Sequence, residues 1–327
     1  MASEAPKRAP QSELVGSSPK RPCARKEKPS SLGVHTDGRI PDDAKLAKRG
    51  FTRGVIQSGL HAVETVFVAG LVQAPPAVHS YRKLDNPEQF RLRRVHVPAG
   101  ALVVWGGYTP HANENPSCRD LTLMDCEVDL TARSIEGLKA KLDTYGIAVF
   151  LDVLSGDEQR LFIEEMVSDL KRSAPPGTPT EGLHPPGSIG CMIVKCYGLG
   201  NTLNAQKRRL NPRVREIYAG LYGVEPMELT HSADAFTWKP PPTATEKPLR
   251  CGQFICWAPS VAMDPGDAAK KLKWMTQGKS LCHNPFDPRS GGGPGHMSNP
   301  KFENPGHWTT LFDPVTNEQM QALGCVV

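Results

Sequence analysis

The chain has 327 residues, of which 39% are hydrophobic and 22% charged, and its formal net charge is +5. That length can bury one large core or two modest ones. No stretch is long and apolar enough to span a bilayer, and nine irregularly spaced cysteines are not typical of a disulfide framework. The first residues, MASEAPKRAP, lack the apolar segment of a secretory signal, so we expect a cytoplasmic protein in a reducing compartment.

The positive charge is concentrated at the N-terminus. Residues 1–30 carry seven Lys or Arg against three Glu, a charge of +4, which leaves +1 on the rest of the chain. Residues 1–29 are also rich in Pro and Ser, so we expect a disordered basic tail there. Its KR and RK pairs are compatible with a nuclear address or with phosphate contacts, but a solvated tail is favoured. The nearly neutral remainder gives no sign of a nucleic-acid channel.

The first structured part of the chain has the pattern of β-strands. Between residues 53 and 110 the apolar segments are short, rich in β-branched residues and interrupted by Gly or Pro. These segments are VIQSGL (55–60), ETVFVAGLVQA (64–74) and RRVHVPAGALVVWGG (93–107). The pattern predicts an antiparallel sheet.

From about residue 134 the apolar period becomes helical. One predicted helix carries Ile135, Leu138 and Leu142; a second follows a capping box of Ser155 and Glu158. A third begins at Asn211-Pro212 and ends near residue 223. Two further strands are predicted, DAFTWKP (234–240) and GQFICWAP (252–259), followed by one helix, DAAKKLKWMTQG, and a Gly/Pro-rich run.

The stretch GVHTDGR, residues 33–39, places His35 and Asp37 two positions apart. In an extended chain, residues i and i+2 point the same way, so such a pair can provide two ligands to one metal ion. Mononuclear Fe(II) sites use two imidazoles and one carboxylate and leave the opposite face open. A polar turn is the simpler interpretation of this pair taken alone, because Asp and His are common turn residues.

A second motif favours a metal site over a polar turn. The segment AGALVVWGGYTPH, residues 99–111, is an apolar strand that ends in a turn with His111. Together with HTD (35–37) and AVHS (77–80), it resembles the phytanoyl-CoA dioxygenase-like branch of the Fe(II)/2-oxoglutarate-dependent oxygenases. The resemblance covers most of residues 30–260 and is strongest at residues 97–111. The family usually has Asp after the tryptophan, whereas this chain has Gly106.

The order of the motifs differs from that of the family. The family begins with helices and a first barrel strand and then reaches H-x-D, whereas here DAFTWKP and the helices come after His111. The chain therefore resembles a circularly permuted member, and a misassembled gene would give the same order. EKP at 27–29 and again at 246–248 supports permutation. Permutation would pair DAFTWKP with the strand beginning at Arg250 as an antiparallel hairpin joined by residues 241–249.

The resemblance implies a set of site residues. The metal ligands and catalytic centre would be His35, Asp37 and His111. Arg250 would bind the distal carboxylate of 2-oxoglutarate, with Arg119 as a competing candidate. Gln57 and Trp238 would line the barrel and contact cosubstrate or substrate, although core packing is favoured for Trp238. The implied cofactors are Fe(II), 2-oxoglutarate and O2, with ascorbate as a supporting reductant.

The resemblance also implies the fold and the function. We expect an α+β protein with a permuted double-stranded β-helix, a jelly-roll or cupin-like barrel with supporting helices. Its oxygenase domain would span residues 30–259 with a helical segment at about 131–225, and residues 260–327 would form a helix and extension packed on it. The expected activity is Fe(II)- and 2-oxoglutarate-dependent hydroxylation of a small-molecule or lipid-like substrate by a monomer that does not enter a membrane.

Two alternative functions compete with an oxygenase. A non-catalytic jelly-roll that binds a small molecule or partner would have the same fold, because function resides in the site. Zinc binding is disfavoured, since the cysteine pairs at 191/196 and 251/256 have no second paired element at finger-like spacing. The three metal-ligand types and one arginine are all present, which favours the enzyme.

Overall fold

A computed structural model describes most of the chain between residues 35 and 325. The described residues are 35–36, 40–71, 82–83, 91–113, 123–185, 193–194, 197–240, 249–277, 279, 281, 284–287, 308–323 and 325. The predicted disordered tail, Asp37 and Arg119 lie outside them. Within the described residues, no helix is both long and apolar enough to cross a membrane.

The described elements are strands and helices in mixed order. The strands are β1 His35–Thr36, β2 Ile56–His61, β3 Thr65–Gly70, β4 Arg82–Lys83, β5 Leu92–Val97, β6 Leu102–Gly106, β7 His111–Asn113, β8 Met124–Asp125, β9 Thr131–Ala132, β10 Ile147–Phe150, β11 Ile193–Val194, β12 Leu229–His231, β13 Phe236–Lys239, β14 Arg250–Phe254 and β15 Trp257–Pro259. The helices are α1 Ile40–Lys48, α2 Ile135–Tyr145, α3 Gly156–Ser173, α4 Leu203–Arg209, α5 Pro212–Tyr222, α6 Pro265–Thr276 and α7 Asn317–Ala322. The fold is α+β.

The strands form two large sheets and one small one. The first large sheet has six strands in the order β4-β1-β7-β3-β5-β8, and the second has seven in the order β11-β13-β14-β2-β6-β10-β9. Strands β12 and β15 make a separate pair. Pairing is antiparallel except between β10 and β9 and between β5 and β8. The described strands do not join into a closed barrel.

The two large sheets share one apolar core. Phe67 and Val95 of the six-stranded sheet belong to the same buried cluster as Val103 and Trp105 of the seven-stranded sheet. All four side chains are at most 2% exposed. Burial of this surface is a main source of stability, since each fully buried large apolar side chain contributes about 1.5–3 kcal/mol. The sheets therefore pack face to face, and the candidate site lies in the space between them.

Helices cover the opposite face of the seven-stranded sheet. Leu60, Leu102 and Val104 belong to a second buried cluster with residues of α2, α3 and α5. Because successive residues of a strand point to opposite faces, the residues between them point into the space between the sheets. Helices therefore cover the outer face of this sheet, and its inner face packs against the six-stranded sheet.

The predicted strands and helices are largely confirmed. The capping box of α3 is present: the Ser155 N–H donates to Glu158 Oε2 at 2.7 Å, and the Glu158 N–H donates to Ser155 Oγ at 3.3 Å. Helix α5 begins at Pro212 after the Asn211 cap and ends at Gly223, whose φ of 69° suits glycine. The predicted helix DAAKKLKWMTQG is also found, as α6, which begins at Pro265, two residues before the predicted start at Asp267.

The predicted pairing of the DAFTWKP segment with the strand beginning at Arg250 is confirmed. Strands β13 and β14 are antiparallel, with Lys239 opposite Arg250 and Phe236 opposite Gln253. Residues 241–248, which would connect them, lie outside the described part. Strand β14 also pairs with β2, so a strand from late in the chain lies beside a strand from near the start of the fold.

Several short elements were not predicted, including three helices and strand β10. Helices α1, α4 and α7 are short, and strand β10 is a four-residue apolar segment between two helices. Such short segments give too few residues to distinguish one period from another. Strand β10 is stabilised by pairing with β6 along its full length, a contact that is not local in sequence.

Candidate functional site

The first feature of the site is a pair of histidines. In the antiparallel pairing of β1 with β7, His35 is the direct cross-strand partner of His111. Directly opposite residues have Cβ atoms about 4.5–5.5 Å apart and lie on the same face of the sheet. The structure therefore brings together two of the three predicted metal ligands. Asp37 and the side chain of His35 lie outside the described part of the chain.

His111 is held in a defined orientation. Its side chain is buried, and ring Nδ1 lies 2.9 Å from the carbonyl oxygen of Thr109. A carbonyl only accepts, so Nδ1 carries the proton and the lone pair is on Nε2. The ring stacks against Phe67 at 5.7 Å between centroids and lies 5.0 Å from the ring of Trp105. A metal-binding histidine is commonly fixed through its other nitrogen in this way.

Trp105 connects His111 to Gln57. The two residues are cross-strand partners in β6 and β2, and the Trp105 indole N–H donates to Gln57 Oε1 at 2.7 Å. Gln57 is 1% exposed, and its side-chain amide nitrogen has no hydrogen-bond partner among the described residues. A buried donor without a partner costs about 1–3 kcal/mol, so this amide is suited to a ligand or an ordered water.

The inner face of β2 forms a polar row. Ile56 and Leu60 point toward the helices, so the alternating residues Gln57, Gly59 and His61 point into the space between the sheets. We call these three residues the inter-sheet row. With a rise of about 3.3 Å per residue, the row extends about 13 Å from Gln57 to His61.

The far end of the inter-sheet row is occupied by His61 and Arg250. Gly252 of β14 is opposite His61, and a Cβ on Gly252 would lie 2.6 Å from His61 Nδ1. A Cβ on Gly59 would lie 2.9 Å from Nε2 of the same ring. The imidazole therefore rests over two glycines that leave room for it.

Arg250 lies on the same face of its strand as Gly252. Phe254, two residues further on, packs against the inter-sheet core, which fixes the direction of this face. Arg250 is 8% exposed. Burial, and to a smaller extent the positive charge of Arg250, lowers the pKa of His61 to about 4. Hence this end of the row has a buried guanidinium beside a neutral imidazole.

Trp238 does not join this group. It pairs with Cys251, and both side chains belong to the helix-side core. Its indole N–H donates to the carbonyl oxygen of Leu183 at 2.9 Å. The side chain is therefore positioned as a packing residue on the opposite face of the sheet from Arg250. This position agrees with the core-packing alternative rather than with contact to a cosubstrate.

Sequence reasoning missed the parts played by Trp105 and His61. The alternation of VIQSGLH could have placed His61 on the same face as Gln57. No local signal gives the register that sets Trp105 against Gln57. Among the residues that the structure describes, no three His, Cys, Asp or Glu side chains gather as a metal-binding group.

Comparisons of this chain with protein-family models, with curated proteins and with solved structures find no match. The geometry between the two sheets is therefore the basis for interpreting the site. The site combines a pair of histidines on adjacent strands, the buried amide of Gln57, and Arg250 on the inner face of β14 at the far end of the inter-sheet row.

Proposed function

We propose that this protein is an Fe(II)- and 2-oxoglutarate-dependent dioxygenase that hydroxylates a small-molecule or lipid-like substrate. The observation that carries the proposal is the direct pairing of His35 with His111 at the edge of the space between the sheets. Arg250 lies on an inner face of the same space, at the far end of the inter-sheet row.

The proposed fold is a double-stranded β-helix with permuted strand order. Along the chain, β2 lies in the seven-stranded sheet, β3 and β5 in the six-stranded sheet, β6 in the seven-stranded sheet and β7 in the six-stranded sheet. Such crossing between two packed antiparallel sheets supports the proposed jelly roll. The adjacency of β13, β14 and β2 supports a permutation, because a cut elsewhere in the chain preserves these neighbours.

The two histidines whose strands the structure describes fit an iron site. His35 and His111 offer two imidazoles from adjacent strands, and Asp37 follows His35 by two positions. Thr109 fixes the His111 tautomer that places a lone pair on Nε2. With Fe(II), 2-oxoglutarate and O2 bound, such a site hydroxylates a C–H bond while 2-oxoglutarate is converted to succinate and carbon dioxide.

The protein's own residues would bind and orient the cosubstrate. The guanidinium of Arg250 would hold the distal carboxylate of 2-oxoglutarate, and the neutral His61 beside it offers a hydrogen bond without a competing charge. The side-chain amide nitrogen of Gln57 would donate to an oxygen nearer the histidines. Phe67 and Trp105 would exclude water from one side of His111. Arg119 remains the alternative anchor.

Succinate formation tests this proposal. The full-length chain, purified without oxygen, would be given Fe(II), 2-oxoglutarate, ascorbate and O2. We expect succinate from the wild type and a loss of at least about tenfold in His111→Ala. His96→Ala is the matched control, because the His96 side chain is 58% exposed in β5. Equal succinate from both variants, or none from a folded wild type, would favour the non-catalytic jelly-roll.

A further inference from the structure

A pocket of about 480 Å³ opens where β2 begins and β6 ends. Its walls come from α1, from residues 51–56, from the turn at Gly106–Tyr108 and from the end of α2. The volume is within the range of about 300–1,000 Å³ that is usual for small-molecule sites.

The pocket lies on the helix-covered face of the seven-stranded sheet. Ile56 and Gly106, which form part of its wall, are cross-strand partners, and Ile56 and Leu142 belong to the helix-side core. Their neighbours Gln57 and Trp105 point to the other face, into the space between the sheets. The pocket is therefore a separate cavity from the proposed oxygenase site.

The charged residues of the pocket leave a net negative charge. Arg53 is ion-paired with Asp143, with Nη1 2.6 Å from Oδ1, so these two charges offset each other. Asp43 accepts hydrogen bonds from the Val55 N–H at 2.8 Å and from the Tyr108 hydroxyl, and both donors are neutral. Burial, and to a smaller extent the charge of Asp42, raises the pKa of Asp43, and none of the described residues places a cation beside this carboxylate.

The remaining wall of the pocket is apolar. Phe51, Val55 and Leu142 line it together with Ala47. An aromatic ring and aliphatic side chains suit a hydrocarbon body, while a carboxylate in the same cavity suits a positively charged group. The two features together define an amphipathic cation.

We propose that this pocket binds a small molecule through a protonated amine, which pairs with Asp43 while the hydrocarbon part of the ligand packs on Phe51 and Leu142. The inference goes beyond the proposed function, because the pocket lies on the helix-covered face of the seven-stranded sheet, whereas the His111 ring contacts Phe67 and Trp105 between the sheets.

A matched set of probes tests the charge and the apolar contact separately. Butylamine, butanol and butyrate share one alkyl chain and differ in the head group. Their binding to the full-length chain would be measured by saturation-transfer NMR without iron or 2-oxoglutarate. We expect butylamine to bind at least about tenfold more tightly than the other two. Equal binding of all three, or no binding of butylamine, would overturn the inference.

Two pocket variants and one control variant locate the binding site. Asp43→Asn should weaken butylamine binding at least about tenfold, and Asp157→Asn, an exposed acid on α3, should leave it unchanged. Ala47→Trp fills the pocket from an exposed position of α1 and should abolish binding even if Asp43→Asn proves unstable. Butylamine binding that survives Ala47→Trp would place the amine elsewhere and overturn the inference.

Failure of this inference and failure of the proposed function are distinguishable. The binding measurement needs no iron, 2-oxoglutarate or turnover. Succinate formation without butylamine binding would retain the oxygenase and reject the amine pocket. Butylamine binding without succinate formation would retain the pocket and reject the oxygenase.

Discussion

His35 and His111 are direct partners across β1 and β7, although they come from distant parts of the chain. This register places two candidate ligands on one face of the six-stranded sheet, next to Ala69 of β3. A shift by one residue would turn one imidazole to the opposite face. The register of one short ladder therefore determines whether the two histidines can act together.

The hydrogen bond between Trp105 and Gln57 should make a measurable contribution to the free energy of unfolding. Gln57→Leu leaves the buried indole N–H without its acceptor, and we expect a loss of about 1–3 kcal/mol in the free energy of unfolding. Adding Trp105→Phe removes the unpaired donor and should recover part of this loss. Urea unfolding of the single and double variants measures the coupling. Strictly additive effects would contradict the bond.

The neutral state of His61 predicts a loss of stability in acid. The folded pKa is about 4, below the ordinary value of 6.5, so the unfolded chain binds more protons between these values. The contribution of the neutral His61 to the free energy of unfolding is fully present above pH 6.5. It decreases as the pH falls toward 4, by about 3 kcal/mol in total. Urea unfolding at pH 7 and pH 4.5 should show a smaller pH effect in His61→Gln than in the wild type. The exposed His96→Gln variant should behave as the wild type does.

Arg250 should control the protonation of its neighbour. Its positive charge contributes to the low pKa of His61, so Arg250→Gln should raise that pKa. Binding of the 2-oxoglutarate dianion beside the imidazole should raise it in the wild type as well. NMR titration of the His61 ring protons measures both changes. A pKa of His61 that does not respond to 2-oxoglutarate would argue against Arg250 as the carboxylate anchor.

Gly252 should be intolerant of a side chain. A Cβ there would lie 2.6 Å from His61 Nδ1 and 3.0 Å from the Leu60 carbonyl oxygen. We expect Gly252→Ala to displace the imidazole, to cost about 1–3 kcal/mol of stability and to weaken 2-oxoglutarate binding. Gly156→Ala is the control, because a Cβ at Gly156 meets no atom within 4 Å. Thermal unfolding and 2-oxoglutarate titration of the two variants check this expectation.

Local patterns predicted most of the elements. The short strand-like segment VIQSGL and the capping box of Ser155 and Glu158 are local features of the sequence, and the strand and the capping box were both found. The pairing of β13 with β14 was predicted from the permuted motif order, which is a statement about topology rather than about local propensity. Helix α1 was missed because a segment of nine residues shows too little periodicity.

The site was less predictable than the elements. His35 and His111 were identified through a family resemblance, and their cross-strand pairing depends on tertiary register. The packing of His61 over Gly59 and Gly252 requires β2 and β14 to be neighbours, which no short segment encodes. Trp238 is a bulky aromatic in a strand, and the strand pattern alone does not tell which face is covered by helices.

Anaerobic titration of the full-length chain with Fe(II) tests the iron site most directly. We predict one high-affinity Fe(II) per chain, with affinity at least about tenfold weaker in His35→Ala, Asp37→Ala and His111→Ala, since each removes one ligand. His96→Ala should bind as the wild type does, and thermal unfolding of each variant should show a folded protein. No saturable Fe(II) binding by the wild type, or undiminished binding by the three ligand variants, would contradict an iron site at His35, Asp37 and His111.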